Sequence, residues 1–291
     1  MRLNARTAEV SVEKYRESIV SRENDLLAIE EPLEIRINQT QQGTSQSHIL
    51  TLTMRTPGQD KELGLGFLFA EGIITSTQDV LHLEEQGISG RDKPFPSRLM
   101  VTLDAHVSFD LAKLQRNFFS TSSCGVCGRL SLDHLPDKRA HQCDSPSANS
   151  HRSPLLSAAL LHQLPARIDL QQNLFRHTGS IHAAALFDAR GNLLHLSEDV
   201  GRHNAMDKLV GKIMMQQSQP HFEDKIVLFS GRVSYELVQK AVMAGIPVIA
   251  AIGAPSSLAV EIARSYNITL IGFLRDRRFN VYSVPERVVE I

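Results

Sequence analysis

Ile226-Val227-Leu228-Phe229, Val248-Ile249-Ala250-Ala251-Ile252 and Ile268-Thr269-Leu270-Ile271-Gly272-Phe273 are three short apolar runs, separated by two stretches of helical period at 235–244 and 257–266. Strand, helix, strand, helix, strand with apolar residues throughout the strands is the pattern of a parallel sheet covered on both faces. Gly245 and Pro247 close the first helix. In such sheets ligands bind beyond the carboxyl ends of the strands. Three loops are expected at that edge: Ser230-Gly231-Arg232-Val233-Ser234, Gly253-Ala254-Pro255-Ser256-Ser257 and Leu274-Arg275-Asp276-Arg277-Arg278. The first two lead small residues into a helix N-terminus, where free N–H groups and the helix dipole favour an anion. The third supplies three guanidiniums suited to bidentate phosphate contacts. A phosphorylated ligand, a nucleotide, is therefore expected here. The plainer alternative is that Ser234 and Ser257 only cap helices and the arginines are solvated. Neither G-x-x-x-x-G-K-[ST] nor G-x-G-x-x-G occurs, which disfavours P-loop and Rossmann binding.

Upstream, His177-Thr178-Gly179-Ser180-Ile181-His182-Ala183-Ala184-Ala185-Leu186-Phe187-Asp188 begins polar and becomes a buried strand, which Arg190-Gly191-Asn192 turns into Leu193-Leu194-His195-Leu196. Ser197-Glu198-Asp199-Val200-Gly201-Arg202-His203-Asn204 follows, dense in ionisable groups, and Met206, Leu209, Val210, Ile213 and Met214 then make one helical stripe. His177, His182, Arg202 and His203, with Glu198 and Asp199, are candidates for a functional cluster or for ordinary structural hydrogen bonding. Residues 155–164 and 166–175 read as two helices divided at Pro165.

In the first half, Leu33-Glu34-Ile35-Arg36-Ile37 and Ile49-Leu50-Thr51-Leu52-Thr53-Met54 alternate as a half-exposed hairpin. Arg55-Thr56-Pro57-Gly58 makes a turn before a helix over 62–71, and Arg98-Leu99-Met100-Val101-Thr102-Leu103 is a further strand. Then comes Ser120-Thr121-Ser122-Ser123-Cys124-Gly125-Val126-Cys127-Gly128, a CxxC pair among turn-forming residues, in a chain with 3 cysteines. One CxxC builds neither a disulfide framework nor a four-cysteine zinc site within a subunit. Three readings stand: a reactive dithiol, half of a metal site completed by His134, His141 or Cys143, or inert thiols. The spacing of those three candidate ligands matches no common structural zinc pattern, which favours sulfur chemistry and no metal. Residues 133–153 are polar and aperiodic and read as a linker. The expected division is thus 1–132, an α+β domain ending in the CxxC loop; 133–153, the linker; and 154–291, an α/β domain.

The 291 residues carry a formal charge of −1, which argues against a nucleic-acid-coating protein. No apolar leader or membrane-length run is present, so a soluble cytoplasmic protein that contacts neither nucleic acid nor membrane is the expectation.

The ordered set of motifs resembles the FdhD family, the formate dehydrogenase accessory sulfur carriers. It comprises Arg55-Thr56-Pro57-Gly58, Gly66-Phe67-Leu68, Glu71-Gly72-Ile73-Ile74, the CxxC loop, His177-Thr178-Gly179 with His182-Ala183-Ala184, Glu198 to Ala205, Ser230-Gly231-Arg232, Ala244-Gly245-Ile246-Pro247, Ala254-Pro255 and Gly272-Phe273-Leu274-Arg275. The resemblance implies a cytidine-deaminase-like second domain, a homodimer, and a sulfurtransferase-type activity. In it, sulfur is accepted from a cysteine desulfurase as a persulfide and passed to the molybdenum bis(guanine dinucleotide) cofactor, as formate dehydrogenase requires. Cys124 would carry the persulfide beside Cys127, and Phe273, Leu274, Arg275, Asp276, Arg277 and Arg278 would contact the cofactor, with a guanine nucleotide as its fragment. Ser180 and Asp276 stand where the family pattern has glycine. A zinc deaminase needs H-x-E and P-C-x-x-C; His182 is followed by Ala183-Ala184 and Cys124 is preceded by Ser123, so deamination is disfavoured. A guanine-nucleotide-binding chaperone without sulfur chemistry is the other alternative.

Overall fold

The computed structural model describes residues 6–41, 44–87, 96–109, 154–217 and 220–290. The chain opens with β1 (Thr7–Arg16) and β2 (Ile19–Ala28), an antiparallel hairpin in register from Thr7 and Ala28 to Arg16 and Ile19. Sequence reading assigns no strand there. Neither face of the ribbon is fully buried, so the apolar alternation that marks a half-buried strand is missing. Cross-strand polar pairs such as Lys14 with Glu23 and Arg22 with Ser11 hold it instead.

Next, β3 (Glu31–Gln41) and β4 (Thr44–Arg55) form the expected hairpin, joined by β5 (Val80–Gln86) and β6 (Ser97–Leu103) in the order β4-β3-β6-β5. Leu33, Ile35 and Ile37 alternate onto the inner face beside Leu99, Val101 and Leu103 of parallel β6. Helix α1 (Asp60–Ala70) lies on that face.

In the second half, α2 (Ala158–Asp169) follows the short strand β7 (Leu156–Ser157), and α3 (Asn173–Thr178) follows α2. The helix break expected at Pro165 is a correction: α2 runs through it. An internal proline costs about 3 kcal/mol, and burial of Leu161 and Leu164 before it and Ile168 after it anchors both sides of the helix to one core.

Six strands then make one sheet in the order β13-β12-β11-β10-β8-β9: β8 (His182–Phe187), β9 (Leu193–Asp199), β10 (Ile226–Phe229), β11 (Val248–Ala251), β12 (Thr269–Arg275) and β13 (Arg278–Ser283). The expected parallel pairing holds for β10, β11 and β12, and antiparallel strands flank them on both sides. A two-residue strand, β14 (Val288–Val289), pairs with β7.

Helices α4 (Arg202–Gln216), α5 (Tyr235–Ala244) and α6 (Ser257–Ser265) pack on one face of this sheet, and α2 packs on the other. The two halves meet where α1 crosses α4. A Cβ on Gly66 would stand 1.9 Å from Asp207 O, and one on Gly211 1.9 Å from Glu62 O, so backbone rests on backbone. One apolar core runs from Leu33 and Leu99 through α1 and α4 to Val227 and Ile249. Among the described residues no helix is long and apolar enough to cross a membrane.

Candidate functional site: a cation-lined sheet edge

The carboxyl ends of β10, β11 and β12 do not fray into separate loops. Backbone hydrogen bonds carry the sheet onward: Ser230 N to Ala183 O (3.1 Å), Ile252 N to Phe229 O (3.0 Å), Gly253 N to Gly231 O (3.1 Å) and Phe273 N to Gly253 O (3.0 Å). A Cβ at Gly253 would stand 2.8 Å from Gly231 O, so glycine is what lets the two loops touch. Because β8 runs antiparallel to β10 and β9 returns beside it, His182 and Asp199 come to the same edge. The first turns of α4, α5 and α6 start there too.

Their caps differ. Ser256, not Ser257, caps α6 by accepting from Ala259 N. Ser234 is at the N-cap of α5 but its hydroxyl makes no cap bond; it lies 3.0 Å from His203 Nε2, which also lies 2.8 Å from Glu236 Oε2. Burial pushes the Glu236 carboxyl up, and the hydrogen bonds from His203 and Tyr235 outweigh it and hold the pKa below its ordinary value. Gly201, at the N-cap of α4, has no side chain to offer.

The segment Leu274-Arg275-Asp276-Arg277-Arg278 is a correction to the expected loop. β12 continues to Arg275, β13 begins at Arg278, and Asp276-Arg277 is the two-residue turn of a hairpin. Both turn residues have positive φ, 52° and 56°, and Phe273 before them has φ 56°. This is the mirror-image turn that glycine and asparagine favour, here built from residues that pay strain to adopt it. Arg275, Asp276, Arg277 and Arg278 are exposed, whereas Leu274 is wholly buried in the core beneath α2.

Of the ionisable cluster around the second motif, part assembles and part does not. Glu198 turns away and accepts from Leu174 N and Phe175 N, capping α3, and His177 is exposed at the other end of that helix. Asp199 is buried and fully engaged: by Lys208 Nζ at 2.6 Å, Thr56 N at 3.1 Å, Gly201 N at 2.9 Å and Asn204 Nδ2 at 3.1 Å. Lys208 also donates to Thr56 O at 2.7 Å, and Val200 N donates to Thr56 Oγ1. Sequence reading did not foresee that Thr56, from the Arg55-Thr56-Pro57-Gly58 turn, ties the first half to this edge. No local pattern encodes a partner 143 residues away.

His182, Arg202, His203 and Arg232 do converge, with Ser230 and Gly231 beside them. Burial first, then the charges of Arg202, His203 and Arg232, push the His182 pKa down, against Asp199. Cys124 and Cys127 lie outside the described residues.

The architecture is a mixed α/β protein whose main sheet ends in a cationic edge. A model of the FdhD/NarQ family matches residues 28–289. The chain is 43% identical over 265 residues to the sulfur carrier protein FdhD of Mycolicibacterium paratuberculosis, covering 91% of this chain and 92% of that one. It is 42% identical over 284 residues to the like-named protein of Streptomyces coelicolor, covering 97% and 95%. A crystal structure from Desulfotalea psychrophila, described there as a candidate formate dehydrogenase accessory protein, shares the fold with a TM-score of 0.68 at 23% identity over 98% of this chain and 100% of that one. The chain belongs to the FdhD/NarQ family.

Proposed function

We propose that this protein is a sulfur carrier serving formate dehydrogenase. What carries this reading is the similarity, at 43% and 42% identity across more than nine tenths of each chain, to relatives named sulfur carriers, in a sequence whose one CxxC is Cys124-Gly125-Val126-Cys127. The Cys124 thiolate attacks the sulfane sulfur of a cysteine desulfurase persulfide. The S–S bond to the desulfurase breaks, its thiolate leaves, and Cys124 holds the persulfide with no net change in redox state. Cys127 is its neighbour in this chemistry. The sulfur's destination is the molybdenum bis(guanine dinucleotide) cofactor, bound as cargo.

The sheet edge supports the cargo's place. Phe273, Arg275, Asp276, Arg277 and Arg278 form a strained hairpin rich in guanidiniums, and Leu274 anchors it in the core. Ser230, Gly231, Arg232 and Ser256 line the adjoining loops, and a guanine nucleotide presents the phosphates that such donors suit. The protein works in this reading as a homodimer in the cytoplasm.

Incubation with a cysteine desulfurase and cysteine should add one sulfur to the intact protein by mass spectrometry. Cys124→Ala should abolish the adduct and Cys143→Ala should spare it. An adduct that survives Cys124→Ala would overturn the assignment to Cys124, and a wild-type protein that takes up no sulfur would favour a nucleotide-binding chaperone.

A further inference from the structure

The groups around His182 leave positive charge without a counter-ion. The charges that His182 feels are those of Arg202 and His203 from α4, Arg232 from the loop after β10 and Asp199, its cross-strand partner on β9. The carboxylates of the neighbourhood are spent: Asp199 on Lys208, Glu236 on His203 and Asp207 on Lys240. Arg202 keeps a buried Nε with no hydrogen-bond partner. Arg232 is exposed, and among the described residues it has no carboxylate partner. The His182 ring lies against the Gly231 backbone, where a Cβ would come within 3.0 Å of its Nδ1. Two helices begin at this spot without side-chain caps, since α4 has Gly201 at its N-cap and the Ser234 hydroxyl at the start of α5 faces His203. Unpaired guanidiniums beside uncapped first-turn amides make a site for an oxyanion.

We propose that His182, Arg202 and Arg232 form an anion subsite separate from the Arg275–Arg278 hairpin, one that takes a phosphate or phosphoanhydride group. From β8 to β12 is three strand spacings, about 14 Å, so one phosphate cannot serve both. The subsite rests on the reading above in that its ligand is the nucleotide portion of the cargo. It adds a coupling to protons. Burial and then the neighbouring cations hold the His182 pKa down; an arriving dianion offsets the cations, so the pKa rises and binding is coupled to proton uptake by the ring. Affinity therefore rises as pH falls toward and below the ordinary imidazole value of about 6.5.

The test follows the histidine ring resonances of the intact protein by NMR across a pH series, with and without inorganic pyrophosphate, His182 being assigned from His182→Gln. Pyrophosphate should raise the His182 titration midpoint by roughly 0.5 unit or more. Arg232→Gln, at an exposed position that folding tolerates, should weaken the response about tenfold, as should Arg202→Gln, while Arg277→Gln leaves it in place. A midpoint that does not move, or a response lost in Arg277→Gln and kept in Arg232→Gln, would overturn the subsite. The sulfur-carrier reading is scored apart from it. If pyrophosphate leaves His182 unmoved while Cys124 still takes up sulfur, only the subsite falls. If His182 responds while Cys124 takes up none, the subsite stands and the carrier reading falls.

Discussion

Asp199 sits in a sequence context, Glu198-Asp199-Val200-Gly201-Arg202-His203, that advertises catalysis, yet its carboxylate is a structural hub buried between the two halves of the chain. Lys208 opposite it is wholly buried, and burial pushes its pKa down while the Asp199 charge opposes that shift. A buried pair of this kind is worth little against an apolar substitute, but breaking it leaves one charge stranded. Lys208→Met should therefore cost about 3–5 kcal/mol in denaturant unfolding, and adding Asp199→Asn should recover part of that loss. A loss below ~1 kcal/mol would mean that the Thr56 and Gly201 amides suffice to hold the carboxylate. At this scale the sequence exposed which residues were ionisable and clustered. It left open which of them were spent on each other, because Thr56 and Lys208 reach Asp199 only through tertiary contact.

Among the elements, the β12–β13 hairpin shows a conflict between local preference and the structure adopted. Asp276 and Arg277 occupy left-handed backbone positions, and the family pattern, by resemblance, has glycine at 276. Positive φ at a non-glycine residue costs on the order of 1 kcal/mol, and such strain gathers where a side chain is needed for function. Arg277→Gly should raise the thermal midpoint by about 1–3 °C, since the second turn position favours glycine. The same change should weaken binding of guanosine diphosphate by roughly tenfold or more in calorimetry, because a charge-assisted contact is lost. Unchanged affinity would place the nucleotide elsewhere. A gain in stability without a loss of binding would leave the strain without a functional reason. The apolar runs of β10, β11 and β12 were legible because burial on both faces writes itself as unbroken hydrophobicity. The hairpin was not, since a charged turn looks like any solvated loop until a partner strand is placed beside it.

The whole molecule is organised by the crossing of α1 and α4, where Gly66 and Gly211 bring two backbones into contact. Gly66→Ala would force the helices apart and disturb the common core, with an expected cost of ~3 kcal/mol and a fall in thermal midpoint of roughly 6 °C or more. A midpoint shift under about 2 °C would show that the crossing relaxes freely. The expected domain division at 133–153 lies in residues outside those described, and the described parts on either side share one core. By itself the sequence determined the strands and helices whose apolar period matches their burial, the loops that follow β10 and β11, and the family, through motifs spread along the chain. Only the tertiary structure decided which ionisable residues meet: that Glu198 and His177 leave the site, that Asp199 is paired with Lys208, and that Arg202 and Arg232 have no carboxylate partner among the described residues. The reason is physical. Periodicity reports how each segment faces the core, whereas charge pairing depends on which segments the fold brings within a few ångströms, over separations of more than a hundred residues in the chain.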